Sequence, residues 1–206
     1  PAFLFVAGII YYPILNTFAT SFCKVDPVGA RLGFTGMDNY RSLLQDDIFW
    51  QVLKQTLVWT VGVVSITTLI SLGVALILNE PFAGRGVVRA IALLPWAASV
   101  TISSVVWRWI YNGEYGYLNH ILRSFHIMSN PPVWLARAET GFPAVIWVGI
   151  WVSIPFTTVV ILAGLQSIPD ELYEAAKIDG ADSLRLFRFI TMPLLKRVFM
   201  IVTLLN

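Results

Sequence analysis

Charged residues are scarce in this chain. Asp, Glu, Lys and Arg make up 13% of its 206 residues and hydrophobic residues make up 57%, whereas soluble domains carry about 25% charged residues. Four stretches contain no charged side chain at all, namely residues 1–23, 55–79, 90–107 and 140–169. Because about 20 apolar residues let a helix cross the hydrocarbon core of a bilayer, the chain is predicted to be a polytopic α-helical membrane protein.

Other absences narrow the function. The single cysteine, Cys23, excludes a disulfide within the chain, and a net charge of +2 is too small to indicate nucleic-acid binding. No G-x-x-x-x-G-K-[ST] sequence is present, so the chain lacks a phosphate-binding loop of its own. His120 and His126 lack the neighbouring ligands that a metal site needs, and Asp46 with Asp47 fits a solvated surface. We therefore predict no catalytic residue, no metal and no cofactor bound by this chain.

The apolar runs predict an all-α fold, a transmembrane helical bundle with four full spans and a truncated fifth. The full spans are Ala2–Phe22, Thr56–Leu78, Ala90–Tyr111 and Thr140–Leu165. The fifth, Val198–Asn206, would reach about halfway across a bilayer at 1.5 Å per residue. With Pro1 inside the first run, we expect residues 1–206 to be one membrane domain that is incomplete at both ends. A short surface helix is also predicted around Tyr117–Phe125.

The distribution of Lys and Arg predicts the orientation. Connections 79–89 and 166–197 hold seven Lys or Arg in 43 residues, and connections 23–55 and 112–139 hold six in 61. Since cytoplasmic loops carry the excess of positive charge, residues 166–197 are predicted to be cytoplasmic. We call this connection the charged loop, because it contains ten charged residues in a chain that has few.

The charged loop has the sequence of two short helices joined by a bend. Ser167–Glu171 places a proline and two acids where a helix starts. Asp179-Gly180 predicts its end, since glycine tolerates the left-handed conformation. Asp182 or Ser183 is expected to cap a second helix, in which three apolar residues fall on one face and Pro193 ends or kinks the element. Those three residues are Leu184, Phe187 and Ile190.

Two interpretations of this loop remain open on these grounds. Charged connections are commonly solvated surface and nothing more. The combination of Ala175, Ala176 and a glycine bend instead favours a docking element, because small residues let a partner's backbone approach a helix closely.

The spacing of the loop resembles a known motif. Glu-Ala-Ala, three residues, glycine, nine residues and then I-x-x-P is similar to the EAA loop of ABC-importer permeases, with Met192 where leucine is usual. The matching residues are Glu174, Ala175, Ala176, Gly180, Ile190 and Pro193. The longer string IPDELYEAAKIDGA, with FTGMDNY and AGRGVVRAIALLPW, resembles the sugar-uptake subgroup that includes the maltose-type permeases.

This resemblance implies a type I importer fold and a division of labour. The EAA loop would form coupling helices in a cleft of a cytoplasmic ABC ATPase dimer, and that partner would bind the ATP and Mg. Glu174 would pair with a basic or polar group on the ATPase, and Gly180 would set the angle between the helices. Asp179 belongs to the same implied coupling segment. A second permease subunit in a heterodimer, an extracytoplasmic solute-binding protein and the bilayer complete the implied partners. The implied location is the bacterial or archaeal cytoplasmic membrane, and the implied cargo is a sugar, an oligosaccharide or a glycerol phosphate.

A substrate path needs polar groups inside apolar spans. Two groups of candidates have the required spacing: Trp96, Ser99, Ser103 and Trp107 on one face of the third span, and Trp151, Ser153, Phe156 and Thr157 around Pro155 in the fourth. Hydroxyls can bond sugar hydroxyls and aromatic rings can stack on sugar rings. The alternative is structural, because hydroxyls also mediate helix packing and tryptophans mark membrane interfaces. Tyr12 and Asn16 are weaker candidates, and Arg108 is expected to snorkel to the headgroups.

Three other functions are alternatives to an importer permease. An ion-coupled carrier would hold ionisable relay residues inside its spans, and the intact spans contain no Asp, Glu, His or Lys. A membrane scaffold would leave the bent loop without a purpose. Another cargo, such as an amino acid, phosphate or metal, would keep the mechanism, and only the extended loop similarity argues against it.

Overall fold

Helices dominate the computed structural model, which describes residues 5–97 and 99–206, with the backbone alone for residues 93–97. A π-helical turn, Ala7–Tyr11, leads into α1 (Tyr12–Thr20), and a second π-helical turn, Phe187–Thr191, lies within the charged loop. The other helices are α2 (Asp38–Leu44), α3 (Asp47–Asn79), α4 (Arg85–Ala97), α5 (Val100–Ile110), α6 (Tyr117–Ser124), α7 (Ala138–Gln166), α8 (Asp170–Ile178), α9 (Ser183–Leu186), α10 (Met192–Leu194) and α11 (Lys196–Leu205).

Two of the predicted spans are confirmed as long apolar helices. Helix α3 has 33 residues and helix α7 has 29, and both are long and apolar enough to cross a membrane. They contain the predicted second span, Thr56–Leu78, and the predicted fourth span, Thr140–Leu165. The complete first span and the fifth stay predictions.

The prediction of one continuous helix over Ala90–Tyr111 was wrong. Helix α4 ends at Ala97 and α5 begins at Val100, with Ser99 between them in an extended conformation (φ −62°, ψ 150°). The Ser99 hydroxyl accepts a hydrogen bond from the Ile102 amide at 3.2 Å. A serine that binds a nearby backbone N–H favours a helix start over a helix interior, so the apolar run is divided at this residue.

The all-α prediction also missed a small β-hairpin in the compact unit that ends at Val58. Strand β1 (Cys23–Val25) pairs antiparallel with β2 (Arg31–Phe34), and Cys23 lies opposite Phe34. The turn depends on Asp26, whose carboxylate accepts the amides of Val28 at 3.0 Å and Ala30 at 2.7 Å. Aspartate bonded to its own backbone and a left-handed Gly29 (φ +91°) are typical turn chemistry.

The second compact unit, residues 59–206, has its core where α3, α7 and α11 meet. The buried stripe of α3 is made largely of small side chains at intervals of three or four, namely Val63, Thr67, Ser71, Ala75 and Leu78. Such stripes let membrane helices approach closely. Ser71 Oγ donates to the Ile154 carbonyl on α7 at 3.1 Å, so the α3–α7 contact is polar as well as close.

Both π-helical turns stand directly before a proline. The Tyr12 amide, before Pro13, bonds the Ala7 carbonyl, and the Met192 amide, before Pro193, bonds the Phe187 carbonyl. A proline ring clashes with the carbonyl four residues earlier in an α-helix. A wider turn at that place removes the clash, since π-helical turns occur as single insertions within α-helices.

Candidate functional site

The charged loop leaves the core through a fixed corner. Ser167 Oγ donates to the Gly164 carbonyl at 2.7 Å, and Ile168 is only 8% exposed. Pro169 then takes the N-cap position of α8 in an extended conformation, with two acids in the first turn. Acidic side chains there interact favourably with the helix dipole. The predicted start of the first loop helix is confirmed.

The predicted end of α8 at Asp179-Gly180 is also confirmed. Asp179 is the C-cap and Gly180 has φ +80°. The Gly180 amide bonds the Lys177 carbonyl at 3.0 Å, and the Ala181 amide bonds the Ala176 carbonyl at 2.9 Å. These two bonds form a Schellman motif, which requires a left-handed residue. Glycine is therefore needed here for backbone geometry, before any partner is considered.

The second loop helix begins as predicted and continues differently. Asp182 Oδ1 accepts the Arg185 amide at 2.8 Å, which confirms Asp182 as the cap. Of the two effects predicted for Pro193, ending the element is wrong, because the π-helical turn continues through the proline into α10. A kink at Pro193 stays a prediction. The predicted apolar face is uneven, since Leu184 is 73% exposed whereas Phe187 and Ile190 are partly buried.

Helix α8 presents the motif to solvent. Glu174 and Ala175 are exposed and Ala176 is partly buried. Among the described residues the one ion pair joins Arg41 to Asp38 at 3.9 Å, so within that part of the chain the charges of the loop are not paired with each other. The loop therefore offers an exposed carboxylate beside small side chains, on a helix that starts at a buried corner and ends at an exposed glycine bend.

One contact, which no sequence pattern predicts, ties the exposed helix back to the core. The hydroxyls of Tyr173 and Thr191 lie 2.9 Å apart. Thr191 is 5% exposed and belongs to the π-helical turn before Pro193. The two residues are 18 positions apart, so no local pattern pairs them.

The structure brings two of the predicted substrate-path residues together. The rings of Trp107 on α5 and Trp151 on α7 pack edge to face, with centroids 5.6 Å apart. Trp107 also contacts Tyr111, whose hydroxyl donates to the Ala144 carbonyl at 3.1 Å. These contacts make an aromatic cluster that joins α5 to α7.

Other candidates are separated or already engaged. Because the third span is divided, Trp96 belongs to α4, whereas Ser103 and Trp107 lie one turn apart on α5 and Ser99 caps that helix. Ser103 is 3% exposed and its hydroxyl has no hydrogen-bond partner among the described residues. Thr157 is fully buried, and its hydroxyl accepts from Asn206 Nδ2 at 3.0 Å.

The remaining candidates add less. Ser153 and Phe156 are partly buried on α7. The side chain of Trp96 lies outside the described residues. Asn16 Oδ1 and Thr20 Oγ1 accept hydrogen bonds from Arg31 of the hairpin, so Asn16 is already engaged in holding the hairpin against α1. For all the substrate-path candidates, a role in contacting substrate stays a prediction.

The sequence also concealed two structural networks. Arg89 Nη2 donates to the Leu78 carbonyl at 2.8 Å and so caps the C-terminus of α3. From the sequence, Arg89 is only one of the positive charges of connection 79–89. Asn119 is fully buried, accepts from Trp134 Nε1 at 2.7 Å and donates to the Gly113 carbonyl at 3.0 Å. A polar residue on a short surface helix gives no sign of such burial.

Comparison with known proteins agrees with this geometry. Residues 69–206 match the family described as binding-protein-dependent transport system inner membrane component. A Brucella suis protein named "Probable ABC transporter permease protein" is 43% identical over the whole chain, which spans 71% of that relative. The "Trehalose/maltose transport system permease protein MalF" of Thermococcus litoralis is 39% identical over the whole chain and 69% of the relative.

A solved structure supports the fold. The crystal structure of a bacterial ABC transporter involved in the import of alginate aligns with a TM-score of 0.81, at 23% identity, over all of this chain and 68% of that one. An exposed two-helix loop attached to apolar helices, a family model that includes the loop, and relatives matched along the whole chain point to one assignment. The chain belongs to the family of binding-protein-dependent transport system inner membrane components, the permeases of ABC transporters.

Proposed function

We propose that this chain is the multi-pass permease subunit of an ATP-driven carbohydrate importer in a bacterial or archaeal cytoplasmic membrane. In this proposal the charged loop receives mechanical work from a cytoplasmic ABC ATPase dimer, which binds the ATP and Mg. A second, non-identical permease and an extracytoplasmic solute-binding protein complete the importer. The observation that carries the proposal is the geometry of α8, an exposed helix bearing Glu174 that ends in a Schellman motif at Gly180.

The physical argument is that a coupling element must be exposed at its contact face and stiff along its length. Helix α8 buries none of its residues fully, so it is free to enter a groove on another protein. Glu174 supplies a charge for the partner, and Ala175 and Ala176 leave room for its backbone. The residues proposed for ATPase coupling are Glu174, Ala175, Ala176, Asp179, Gly180, Ile190 and Pro193.

The proposed cargo rests on the relatives. The Thermococcus relative is named as a trehalose/maltose permease, and the aligned crystal structure is that of a transporter involved in alginate import. The chemistry of the membrane helices is compatible with such cargo, because Trp107 and Trp151 form an aromatic pair and Ser103 is a buried hydroxyl that has no partner among the described residues. Aromatic faces and hydroxyls are the groups that bind sugar rings.

A pair of matched glycine variants tests the coupling role. Gly180 and Gly84 have nearly the same backbone, φ +80° and +83°, and a Cβ at either position meets no atom of the described residues within 4 Å. Gly180→Trp and Gly84→Trp therefore introduce the same strain and bulk, but only the first lies in the motif. We expect Gly180→Trp to abolish copurification of the ATPase with the full-length protein, and Gly84→Trp to retain it.

Retention of the ATPase by both variants, or equal loss from both, would contradict the coupling proposal. Glu174→Lys combined with Gly180→Trp is the more severe variant, and normal assembly of that double variant would end the proposal.

For the cargo, titration calorimetry of the cognate binding protein against neutral sugars, glycerol phosphates and amino acids is the direct measurement. Binding of an amino acid in place of any sugar would overturn the carbohydrate assignment.

A further inference from the structure

The contact between Tyr173 and Thr191 has consequences for how the charged loop moves. Helix α8 is joined to the core at its two ends in different ways. At its start, Ile168 is buried and Ser167 is bonded to α7. At its end, the chain turns at Gly180, around which a Cβ would meet nothing within 4 Å. The backbone therefore fixes the start of α8 and leaves its far end held by one exposed bend.

The side chains supply the missing attachment. The two α8 residues that are partly buried, Tyr173 and Ala176, are three positions apart and so lie on the same face of the helix. Tyr173 spans the space to the π-helical turn, where its hydroxyl meets that of Thr191 at 2.9 Å. The Thr191 hydroxyl lies in a site that is 5% exposed, so water competes weakly for this bond.

Thr191 is in turn joined to the hydrophobic core of the protein. Its carbonyl accepts the Leu195 amide at 3.0 Å. Leu195 is fully buried and packs in the cluster that contains Ile161, Leu162 and Val202. Contacts therefore connect Tyr173, which is next to Glu174, to the N-terminus of α11. They consist of the bond between the Tyr173 and Thr191 hydroxyls and the backbone bond between Thr191 and Leu195.

We propose that the Tyr173–Thr191 hydroxyl pair is a latch that makes α8 and α11 move as one body. Both are positioning residues, and the inference rests on the proposed coupling role of the charged loop. With the latch closed, a displacement of Glu174 by the ATPase moves the N-terminus of α11. With the latch open, α8 pivots at Gly180 and the displacement is lost in the loop.

The experiment measures the distance between two spin labels in the full-length importer complex, with and without ATP and vanadate. The labels replace Lys177 on α8 and Met200 on α11, which are both exposed. Tyr173→Phe and Thr191→Val remove one hydroxyl each and nearly keep the side-chain volume. Thr191→Ser keeps the hydroxyl and removes only a methyl group. Tyr117→Phe, on an exposed tyrosine of α6, is the matched control.

We expect one narrow distance in the unsubstituted protein, in the control and in Thr191→Ser, with and without nucleotide. In Tyr173→Phe and Thr191→Val a second distance should rise roughly five-fold in population, the factor that corresponds to about 1 kcal/mol for one hydrogen bond. The Tyr173→Phe, Thr191→Val double variant should match Thr191→Val, because the Tyr173 hydroxyl has already lost its partner in that single variant. Thr191→Val also removes the bond from the Thr191 hydroxyl to the Leu186 carbonyl at 3.5 Å.

An unchanged narrow distance in Tyr173→Phe would overturn the latch, and so would additive effects in the double variant. Loss of the ATPase from Tyr173→Phe would also overturn it, because the pair would then serve assembly instead of transmission. Failure of the coupling role itself is read separately: it appears as an ATPase that stays bound to Gly180→Trp. A latch that fails while Gly180→Trp still loses the ATPase leaves the proposed function intact.

Discussion

At Gly164 the packing of two helices leaves no room for a side chain. A Cβ placed there would lie 2.6 Å from Val198 Cγ2 and 3.0 Å from Leu195 Cδ2. Leu195 is fully buried, so its side chain cannot withdraw easily. The absence of a side chain is what lets α11 lie against α7, and the same reasoning applies at Gly149, where a Cβ would be 2.9 Å from the Trp59 ring.

Gly164→Ala should therefore destabilise the protein although alanine favours helices. Glycine to alanine gains about 0.5–1 kcal/mol in a helix, whereas overpacking a core costs about 1–3 kcal/mol. Gly73→Ala in α3 is the matched control, since a Cβ there meets nothing within 4 Å. We expect a lower thermal midpoint in detergent for Gly164→Ala and an equal or higher one for Gly73→Ala. Equal midpoints for the two variants would show that α11 does not pack on Gly164.

At this scale the sequence was informative where chemistry is local. Asp182 as a cap and Gly180 as a left-handed terminator were read from neighbouring residues, because capping depends on bonds that span two to five positions. The roles of Thr191, Asn119 and Arg89 depend on partners brought together by the fold. No single-sequence pattern contains that information.

At the scale of elements, the connection from 112 to 139 is more ordered than its sequence suggests. The predicted surface helix over Tyr117–Phe125 is confirmed as α6. It is held by Asn119, which reaches the Gly113 carbonyl before the helix and the Trp134 ring after it. A single amide thus closes both sides of the connection.

Removal of that amide should open the connection locally. Asn119→Ala would remove the hydrogen bonds to the Trp134 N–H and the Gly113 carbonyl, which belong to partly buried residues, at about 1 kcal/mol for each bond. His120→Ala, an exposed neighbour on the same helix, is the control. We expect faster hydrogen exchange and faster tryptic cleavage at Arg123 in Asn119→Ala alone. Protection equal to that of the control would mean that packing, and not this network, orders the segment.

The elements that the sequence missed share a cause. Hydropathy identifies long uninterrupted helices such as α3 and α7, because their apolar runs fill the whole averaging window. It does not register the break at Ser99, since one serine barely changes the average of a 22-residue run. The hairpin was hidden for a similar reason, because β1 and β2 have only three and four residues. The π-helical turns have a readable signal, since each directly precedes an X-Pro pair inside a helix.

For the molecule as a whole, the orientation in the membrane connects every proposal. The docking of α8, the latch and the outside position of the 112–139 connection all require the charged loop to face the cytoplasm. The excess of Lys and Arg in connections 79–89 and 166–197 supports that orientation.

The single cysteine makes the orientation measurable. Cys23 lies in the connection predicted to be outside, and Asp179 lies in the charged loop. A full-length protein that keeps only Cys23 should react in intact cells with a maleimide that cannot cross membranes. A Cys23→Ser, Asp179→Cys protein should react only after the cells are permeabilised. Since Cys23 is partly buried and Asp179 is exposed, slower labelling of Cys23 is expected and the comparison is made within each protein, before and after permeabilisation. Labelling of Asp179→Cys in intact cells would place the coupling helix on the wrong side of the membrane for any cytoplasmic ATPase.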